Sequence, residues 1–242
     1  MRIHKTKNYD ELSRKAADLI FAQVMLRPAC VLGLATGSTP IGTYQCLIQD
    51  HQNKGLDFSQ VVTVNLDEYR GLTGDNDQSY RYFMNHQLFH HINIPLSHTN
   101  VPNGIIAPDK ACDEYERLIR NLGGIDMQVL GLGHNGHIGF NEPADHFVAD
   151  THQVDLAQKT IDANTRFFAN VDAVPRQAIT MGIGTIMKAR KILLLVSGEE
   201  KADILNQVIN GPITPLVPAS ILQLHPDVTV IADEAALSKT AL

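Results

Sequence analysis

The sequence predicts an α/β fold in which helices flank a mostly parallel, open sheet. Short apolar segments of strand length alternate along the chain with segments that have helical periodicity. The segment Ile192–Val196 is apolar at every position, which is typical of a strand that is buried on both faces. Repeated β–α units of this kind favour a parallel sheet.

The predicted elements follow one another without an internal repeat, a low-complexity segment or a linker, so we expect one domain over residues 1–242. Helices are predicted over 8–26, 39–53, 79–90, 108–122, 162–169 and 199–209. Strands are predicted over 30–34, 61–66, 125–130, 151–156, 191–196 and 228–231. We expect Thr39 to cap the second helix and Pro40 to occupy its first position.

Composition and charge argue against several classes of partner. The net charge is −6 and no run of Lys or Arg stands out, so we expect no nucleic-acid partner. The longest apolar stretches fall far below the ~20 residues of a membrane helix, and charged residues interrupt the N-terminal segment where a signal peptide would be apolar. The three cysteines, Cys30, Cys46 and Cys112, lack CxxC spacing, which favours reduced thiols and a cytoplasmic location.

The unusual chemistry of the sequence lies directly after predicted strands. In open parallel sheets, ligands bind beyond the carboxyl ends of the strands. Four segments occupy such positions, namely residues 35–39, 67–69, 131–143 and 197–201. We therefore expect a single site at this edge of the sheet.

The segment 35–39 has the features of an anion site. Gly37 lets the backbone approach a ligand closely, and Ser38 and Thr39 supply hydroxyl groups at the start of a helix. The free N–H groups of a first helical turn favour a bound phosphate. No Gly-Lys-Ser/Thr follows, so nucleotide binding is not indicated. A plain capped helix after a glycine turn remains the alternative.

Two basic residues support a phosphate site. Lys201 lies in the first turn of a predicted helix, where a cation is disfavoured by the helix dipole by roughly 0.3–1 kcal/mol. A bound phosphate would offset this cost, although the adjacent Glu199 and Glu200 could do so too. Arg166 could make a forked contact to the phosphate, or could be a solvated surface residue.

The segment 131–143 permits three interpretations. Its glycines match GxGxxG, but Gly136, Gly139 and Pro143 exclude the helix that a dinucleotide fingerprint requires. A metal site formed by His134, His137 and Glu142 is possible, although the spacing lacks that of two histidines one helical turn apart. We favour acid–base catalysis, in which His137 moves a proton and Glu142 orients it. A structural turn with incidental polar groups is the alternative.

Asp67 and Glu68 follow the predicted strand 61–66 directly. Adjacent carboxylates repel each other, but in an extended chain their side chains point to opposite sides. One can therefore face a pocket while the other is bound elsewhere. Asp67 is the candidate for a proton-abstracting base, with a solvated acidic turn as the alternative.

These segments resemble the glucosamine-6-phosphate deaminase family. The matches are 32–40, 65–69, 131–143, 165–168 and the helix start at Lys201, and the long 131–143 match is highly specific. The resemblance implies a Rossmann-like three-layer α/β/α fold with a mostly parallel open sheet. It also implies conversion of glucosamine 6-phosphate and water to fructose 6-phosphate and ammonia, without a metal or other cofactor.

The resemblance assigns a role to each candidate residue. It implies that His137 is the base that opens the sugar ring, supported by Glu142 and Asn135. It implies that Asp67 takes the C2 proton and helps to pass it to C1. Residues that match the family's phosphate-binding positions are Ser38, Thr39, Arg166 and Lys201, and our reading of the glycine loop adds Gly37.

The sequence departs from the family pattern at two places. Some members carry Asp at the position of Asn135, and an amide cannot share a proton, so we expect Asn135 to orient His137. The allosteric branch binds a sugar phosphate through basic and hydroxyl residues after the Asn-Glu-Pro motif. This chain has Asp145, His152, Val154 and Asp155 there, so we expect no such activation. We also expect a monomer or small homo-oligomer, and a lid over about 151–175.

Two other functions remain open from the sequence. A 6-phosphogluconolactonase shares the fold but hydrolyses an ester and needs no acceptor for a C2 proton, which Asp67 would supply. A sugar-phosphate sensor also shares the fold, but should carry a DNA-binding helix-turn-helix, and no basic reading helix is visible.

Overall fold

A parallel sheet forms the centre of the protein in the computed structural model, which describes residues 1–156 and 175–241. The described strands are β1 (Arg2–Thr6), β2 (Val31–Leu34), β3 (Val62–Asn65), β4 (Asp67–Tyr69), β5 (Thr99–Asn100), β6 (Met127–Gly131), β7 (His152–Asp155), β8 (Gln177–Thr180), β9 (Ile192–Val196) and β10 (Val228–Asp233). Seven of these form one sheet in the order β1-β10-β9-β6-β2-β3-β5. Every neighbouring pair in it is parallel.

Helices pack on both faces of this sheet. The described α-helices are α1 (Tyr9–Leu26), α2 (Ile41–Lys54), α3 (Tyr80–Gln87), α4 (Pro108–Asn121), α5 (Ile183–Met187) and α6 (Ala202–Asn210). Strand β9 shows the layering most clearly: Leu193 and Leu195 pack with α1 and α2, whereas Leu194 and Val196 pack with α4 and α6. The predicted three-layer α/β/α fold with a mostly parallel sheet is confirmed.

The helix ends follow local capping chemistry. Asn8 caps α1 by accepting a hydrogen bond from the Glu11 amide, and Ser79 caps α3 through the Tyr82 amide. Gly55 ends α2 with a φ of +68°, a left-handed conformation that glycine adopts without strain.

The prediction that Thr39 caps α2 is wrong. The helix begins at Ile41, and Pro40 occupies the capping position without a side-chain hydrogen bond. Thr39 lies one residue before that position, and the hydroxyl of Tyr9 instead accepts from the Gly42 N–H at 2.8 Å. A residue of α1 therefore satisfies an amide at the start of α2.

A smaller antiparallel sheet lies beside the large one, in the order β4-β8-β7. Sequence patterns did not predict β4 or β8 as strands, because neither Asp67–Tyr69 nor Gln177–Thr180 forms an apolar run. Strand β1 was also missed, because it lies at the edge of the large sheet and is mostly polar. Most of the lid predicted over 151–175 and the whole helix predicted over 162–169 lie outside the described residues.

The chain order of the large sheet reverses between β2 and β6. From β2 the chain proceeds outward through β3 and β5, and it then returns to β6 on the other side of β2 before continuing to β9 and β10. Ligands in open α/β sheets bind at such a reversal, beyond the carboxyl ends of the strands. The loops that follow β2 and β6 are the predicted segments 35–39 and 131–143. Across the described residues, every helix is too short or too polar to cross a bilayer.

Candidate active site

The loop after β2 is held in place by a tyrosine from α1. The Tyr9 hydroxyl lies 3.0 Å from the carbonyl oxygens of both Ser38 and Thr39, to which it donates. Gly37 has a φ of +90°, so a side chain there would be strained. Gly37 and Ser38 are exposed and Thr39 is partly exposed. Their amides and hydroxyls are therefore open to a ligand.

Lys201 lies in a 3₁₀ turn, Glu199–Lys201, between β9 and α6. The first turn of the helix predicted over 199–209 is therefore a 3₁₀ turn and not α-helix. Burial lowers the pKa of Lys201, and the charge of Glu200 opposes this effect. Within the described part of the chain, Lys201 forms no ion pair. A partly buried ammonium without a paired carboxylate is unfavourable in the absence of an anion.

A buried carboxylate shapes the loop that carries Lys201. Asp233, at the end of β10, accepts hydrogen bonds from the Ser197 hydroxyl at 2.5 Å and from the Gly198 N–H at 3.2 Å. Gly198 has a φ of +100°, and its carbonyl accepts from the Lys201 N–H at 3.1 Å. Asp233 thus fixes the turn from which the Lys201 side chain extends.

The loop after β6 brings together His137, Glu142 and Asn135. Nδ1 of His137 lies 3.2 Å from Oε1 of Glu142, although the ring is turned out of hydrogen-bond geometry. Asn135 donates from Nδ2 to Oε2 of Glu142 at 2.5 Å and accepts from the His137 N–H at 3.2 Å. Asn135 therefore fixes Glu142 beside the imidazole.

Glycines allow this loop to fold tightly. Gly136 and Gly139 have φ values of +85° and +58°. Gly133 lies directly beneath the His137 ring: a Cβ at this position would be 2.3 Å from Nε2 of the imidazole. No helix begins at Gly136, as the spacing of the glycines predicts.

Gly133→Ala should displace the His137 ring, because its methyl group would overlap the imidazole. We expect kcat of the reaction proposed below to fall by about 10–100-fold, since a displacement near 1 Å in an active site has effects of this size. Gly131→Ala is the matched control, because a Cβ at Gly131 would meet no atom within 4 Å. Equal activity of the two variants would show that the His137 position does not matter.

His134 does not lie with His137 and Glu142 as one ligand set. Burial and the charge of Lys201 lower the pKa of His134. Among residues 1–156 and 175–241, no three His, Cys, Asp or Glu side chains are arranged to hold a metal ion.

Strand β4 sends its two carboxylates to opposite sides, as expected for an extended chain. Glu68 accepts from the N–H groups of Tyr69, Tyr80 and Arg81, each at 2.9 Å, and so occupies the start of α3. Asp67 faces the loop after β6, where its Oδ2 lies 3.6 Å from the position of a Cβ on Gly139.

Asp67 is 6% exposed. Burial, followed by the charge of Glu68, raises its pKa to about 8. A carboxyl group with a pKa near neutrality can both accept and return a proton at physiological pH. The position of Asp67 therefore suits proton transfer more than binding of a cation.

Most of the candidate residues that the structure describes lie in the loops that follow β2, β6 and β9, whereas Asp67 lies in the short strand β4, directly after β3. Asp67 adjoins the loop of His137. Arg166 lies outside the described residues. Sequence reasoning missed Tyr9, which looks like any residue of an amphipathic helix. It also missed Asp233, although an Asp at the end of a predicted strand is a detectable signal.

This chain is similar to known proteins in sequence and in fold. The family described as glucosamine-6-phosphate isomerases/6-phosphogluconolactonase matches residues 5–231. The chain belongs to this family. A glucosamine-6-phosphate deaminase of Lachnoclostridium phytofermentans is 58% identical over 232 residues, which cover 96% of this chain and 98% of that protein.

Two solved structures resemble this chain to different degrees. A monomeric glucosamine-6-phosphate deaminase superposes with a TM-score of 0.96 at 46% identity, covering 99% of this chain and 100% of that one. A 6-phosphogluconolactonase from Trypanosoma cruzi superposes with a TM-score of 0.81 at 21% identity, covering 100% and 97%. The second similarity supports the fold alone.

Proposed function

We propose that this member of the family catalyses the isomerising deamination of D-glucosamine 6-phosphate: the sugar and water give D-fructose 6-phosphate and ammonia. The observation that carries the proposal is the buried carboxyl of Asp67, with a pKa near 8, beside a loop that holds an imidazole against a carboxylate. Two proton-transfer groups suit a reaction with two proton-transfer stages. High identity to a deaminase over nearly the whole chain supports the same conclusion.

His137 serves the first stage. The sugar binds as a closed ring, and opening it requires loss of the O1 proton and protonation of the ring oxygen. The His137 imidazole accepts the first proton and returns one to the ring oxygen, while Glu142 stabilises the charged imidazolium at 3.2 Å. Asn135 holds Glu142 in this position through the bond of 2.5 Å.

Asp67 serves the second stage. Its carboxylate removes the C2 proton of the open-chain amino aldehyde while the substrate's own ammonium group gives a proton to O1, which yields a neutral enolamine. Asp67 then delivers the C2 proton to C1, leaving a protonated ketimine at C2. Water adds to C2 and passes a proton to the nitrogen, and the C–N bond breaks as ammonia leaves with its electron pair and the C2 hydroxyl loses its proton to form the ketone. The acid–base balance closes with Asp67 again ionised.

The phosphate binds at the opposite end of the substrate. Gly37, Ser38 and Thr39 present amides and hydroxyls at the start of α2, and Lys201 adds a positive charge. By family resemblance, Arg166 completes this set. Binding energy from this unreactive end orients C1 and C2 between the two bases.

We further propose that the protein is a cytoplasmic hydrolase of amino-sugar catabolism that acts as a monomer or small homo-oligomer. The three cysteines are unpaired, which suits a reducing compartment. The structural neighbour at 46% identity is described as monomeric.

A lactonase activity is the competing assignment within the family. An ester hydrolase needs no group to accept a C2 proton, so a buried Asp67 with a raised pKa favours the deaminase. The test compares three substrates: glucosamine 6-phosphate, glucosamine without phosphate, and 6-phosphogluconolactone. We expect ammonia only from the amino sugars, with kcat/KM at least about 10²-fold higher for the phosphorylated one. Lactone hydrolysis without ammonia release would refute the proposal.

We expect hyperbolic kinetics without activation by N-acetylglucosamine 6-phosphate. Asp145 has a side chain that is 92% exposed, and Asp155 is also exposed. Their charges would repel a phosphate in the segment where the allosteric branch binds its activator. Rates measured over a range of substrate concentrations, with and without the effector, decide this. A sigmoidal curve that the effector makes hyperbolic would contradict it.

A further inference from the structure

We infer that Thr180 is a positioning residue that fixes the Asp67 carboxyl relative to the loop that carries His137. The inference rests on the proposed function, because it concerns the group that takes the C2 proton. It depends on three features of strand β8: its pairing with β4, one hydrogen bond to the loop after β6, and the burial of the threonine hydroxyl.

The pairing puts Thr180 beside Asp67. The two residues are direct partners in the antiparallel β4–β8 ladder, so their side chains lie on the same face with Cβ atoms about 4.5–5.5 Å apart. The neighbouring positions show that this face is the one toward the loop: Tyr69 and Ala178 pack together with Phe140. Ile179, on the other face, packs against α4.

The hydrogen bond ties Thr180 to the loop that carries His137. Its Oγ1 accepts from the Phe140 N–H at 3.0 Å. Gly139 lies above both strands: a Cβ there would be 2.9 Å from Oγ1 of Thr180 and 3.6 Å from Oδ2 of Asp67. The hydroxyl and the carboxyl therefore converge on one point of the loop, and a Cβ at this point would lie too close to the Thr180 hydroxyl.

The hydroxyl still has a proton to donate. A threonine hydroxyl that accepts one hydrogen bond can also donate one, and Thr180 is completely buried. In the described part of the chain, no acceptor takes this proton. The Asp67 carboxyl is the acidic group directly across the ladder. When Asp67 is ionised, a small rotation of either side chain gives the carboxylate a donor that orients it toward C2.

The test compares Thr180→Val, which keeps the shape and removes the hydroxyl, with Thr180→Ser, which keeps the hydroxyl. We expect the valine variant to lose about 10–100-fold in kcat with KM within about threefold, and the serine variant to stay within about threefold of the parent. Thr63→Val is the matched control, because Thr63 is equally buried and its hydroxyl has no partner. It should match the parent.

An isotope effect separates positioning from general loss of structure. With glucosamine 6-phosphate deuterated at C2, Thr180→Val should show a larger kinetic isotope effect than the parent, because proton removal by Asp67 becomes slower. A merely destabilised enzyme would have fewer active molecules and an unchanged isotope effect. Should the valine variant fail to fold, Thr180→Ala takes its place in the same comparison.

The outcomes are distinct. An active parent with an unimpaired Thr180→Val, an unchanged isotope effect, or a serine variant as slow as the valine variant would overturn the role of Thr180 and leave the deaminase assignment intact. A parent that releases no ammonia from glucosamine 6-phosphate would overturn both.

Discussion

Asp67→Asn is expected to slow ammonia release from glucosamine 6-phosphate by at least ~10²-fold, because the amide cannot accept the C2 proton. The fold should persist, since the two side chains have nearly the same shape. Steady-state ammonia assays on the purified variant measure the loss. An Asp67→Asn protein as active as the parent would remove Asp67 from the mechanism.

The same substitution should raise stability near neutral pH. A carboxyl whose pKa is raised on folding, here to about 8 from an ordinary value near 3.9, opposes folding when it ionises. The free energy of unfolding is therefore highest at low pH, where Asp67 is protonated in both states, and this contribution is lost as the pH rises from about 4 to about 8. Asn removes the ionisation, so the gain over the parent should grow across that window to a few kcal/mol at most. Thermal or urea unfolding at several pH values measures it.

Asp126→Asn is the matched control for both effects. Asp126 is 2% exposed, but it lies just before β6, at the opposite edge of the sheet. There it pairs with Arg27 at 2.5 Å and Arg190 at 3.0 Å and accepts from the Val31 N–H. Its replacement should lower stability and leave the rate of the folded enzyme near that of the parent. The same Asp→Asn substitution is thus expected to raise the free energy of unfolding at position 67 and to lower it at position 126.

His137→Gln is expected to reduce kcat/KM for the closed-ring substrate by ~10²–10⁴-fold, because the amide cannot accept and return the proton of ring opening. The C2 isotope effect should become smaller than in the parent, since ring opening then limits the rate. This is the reverse of the effect expected when the Asp67 step is slowed. Rates with protonated and C2-deuterated substrate give both quantities.

His146→Gln is the matched control for His137→Gln. His146 lies nine residues after His137 in the sequence. Its side chain is 70% exposed and, among the described residues, pairs only with Asp145. It should retain the activity of the parent. Parental kcat/KM in His137→Gln itself would exclude His137 as the ring-opening base.

Much of the fold could be read from local patterns. Apolar runs predicted β2, β3, β6, β9 and β10, and helical periodicity predicted α1, because burial imposes these patterns over a few neighbouring residues. Strands β1, β4, β5 and β8 were missed. Neither β4 nor β8 forms an apolar run, and both strands exist because they pair with each other.

Only part of the candidate site could likewise be predicted from the sequence. The glycine-rich segment and its His137 and Glu142 could be found because their chemistry lies within 13 consecutive residues. Tyr9 and Thr180 could not, since each acts through a partner at least 29 residues away in the chain. Such contacts leave no periodic signal in a single sequence.

The amino-acid pattern alone therefore indicates an α/β sheet and the loops that carry chemistry, and the resemblance to the deaminase family implies a phosphorylated amino sugar as the substrate. Folding determines the electrostatics of the site. The pKa of Asp67 rises to about 8 because strand pairing buries the carboxyl beside the charge of its sequence neighbour Glu68, which α3 binds on the other side. Burial is a property of packed chain segments, so it arises only when β4, β8 and the loop after β6 come together.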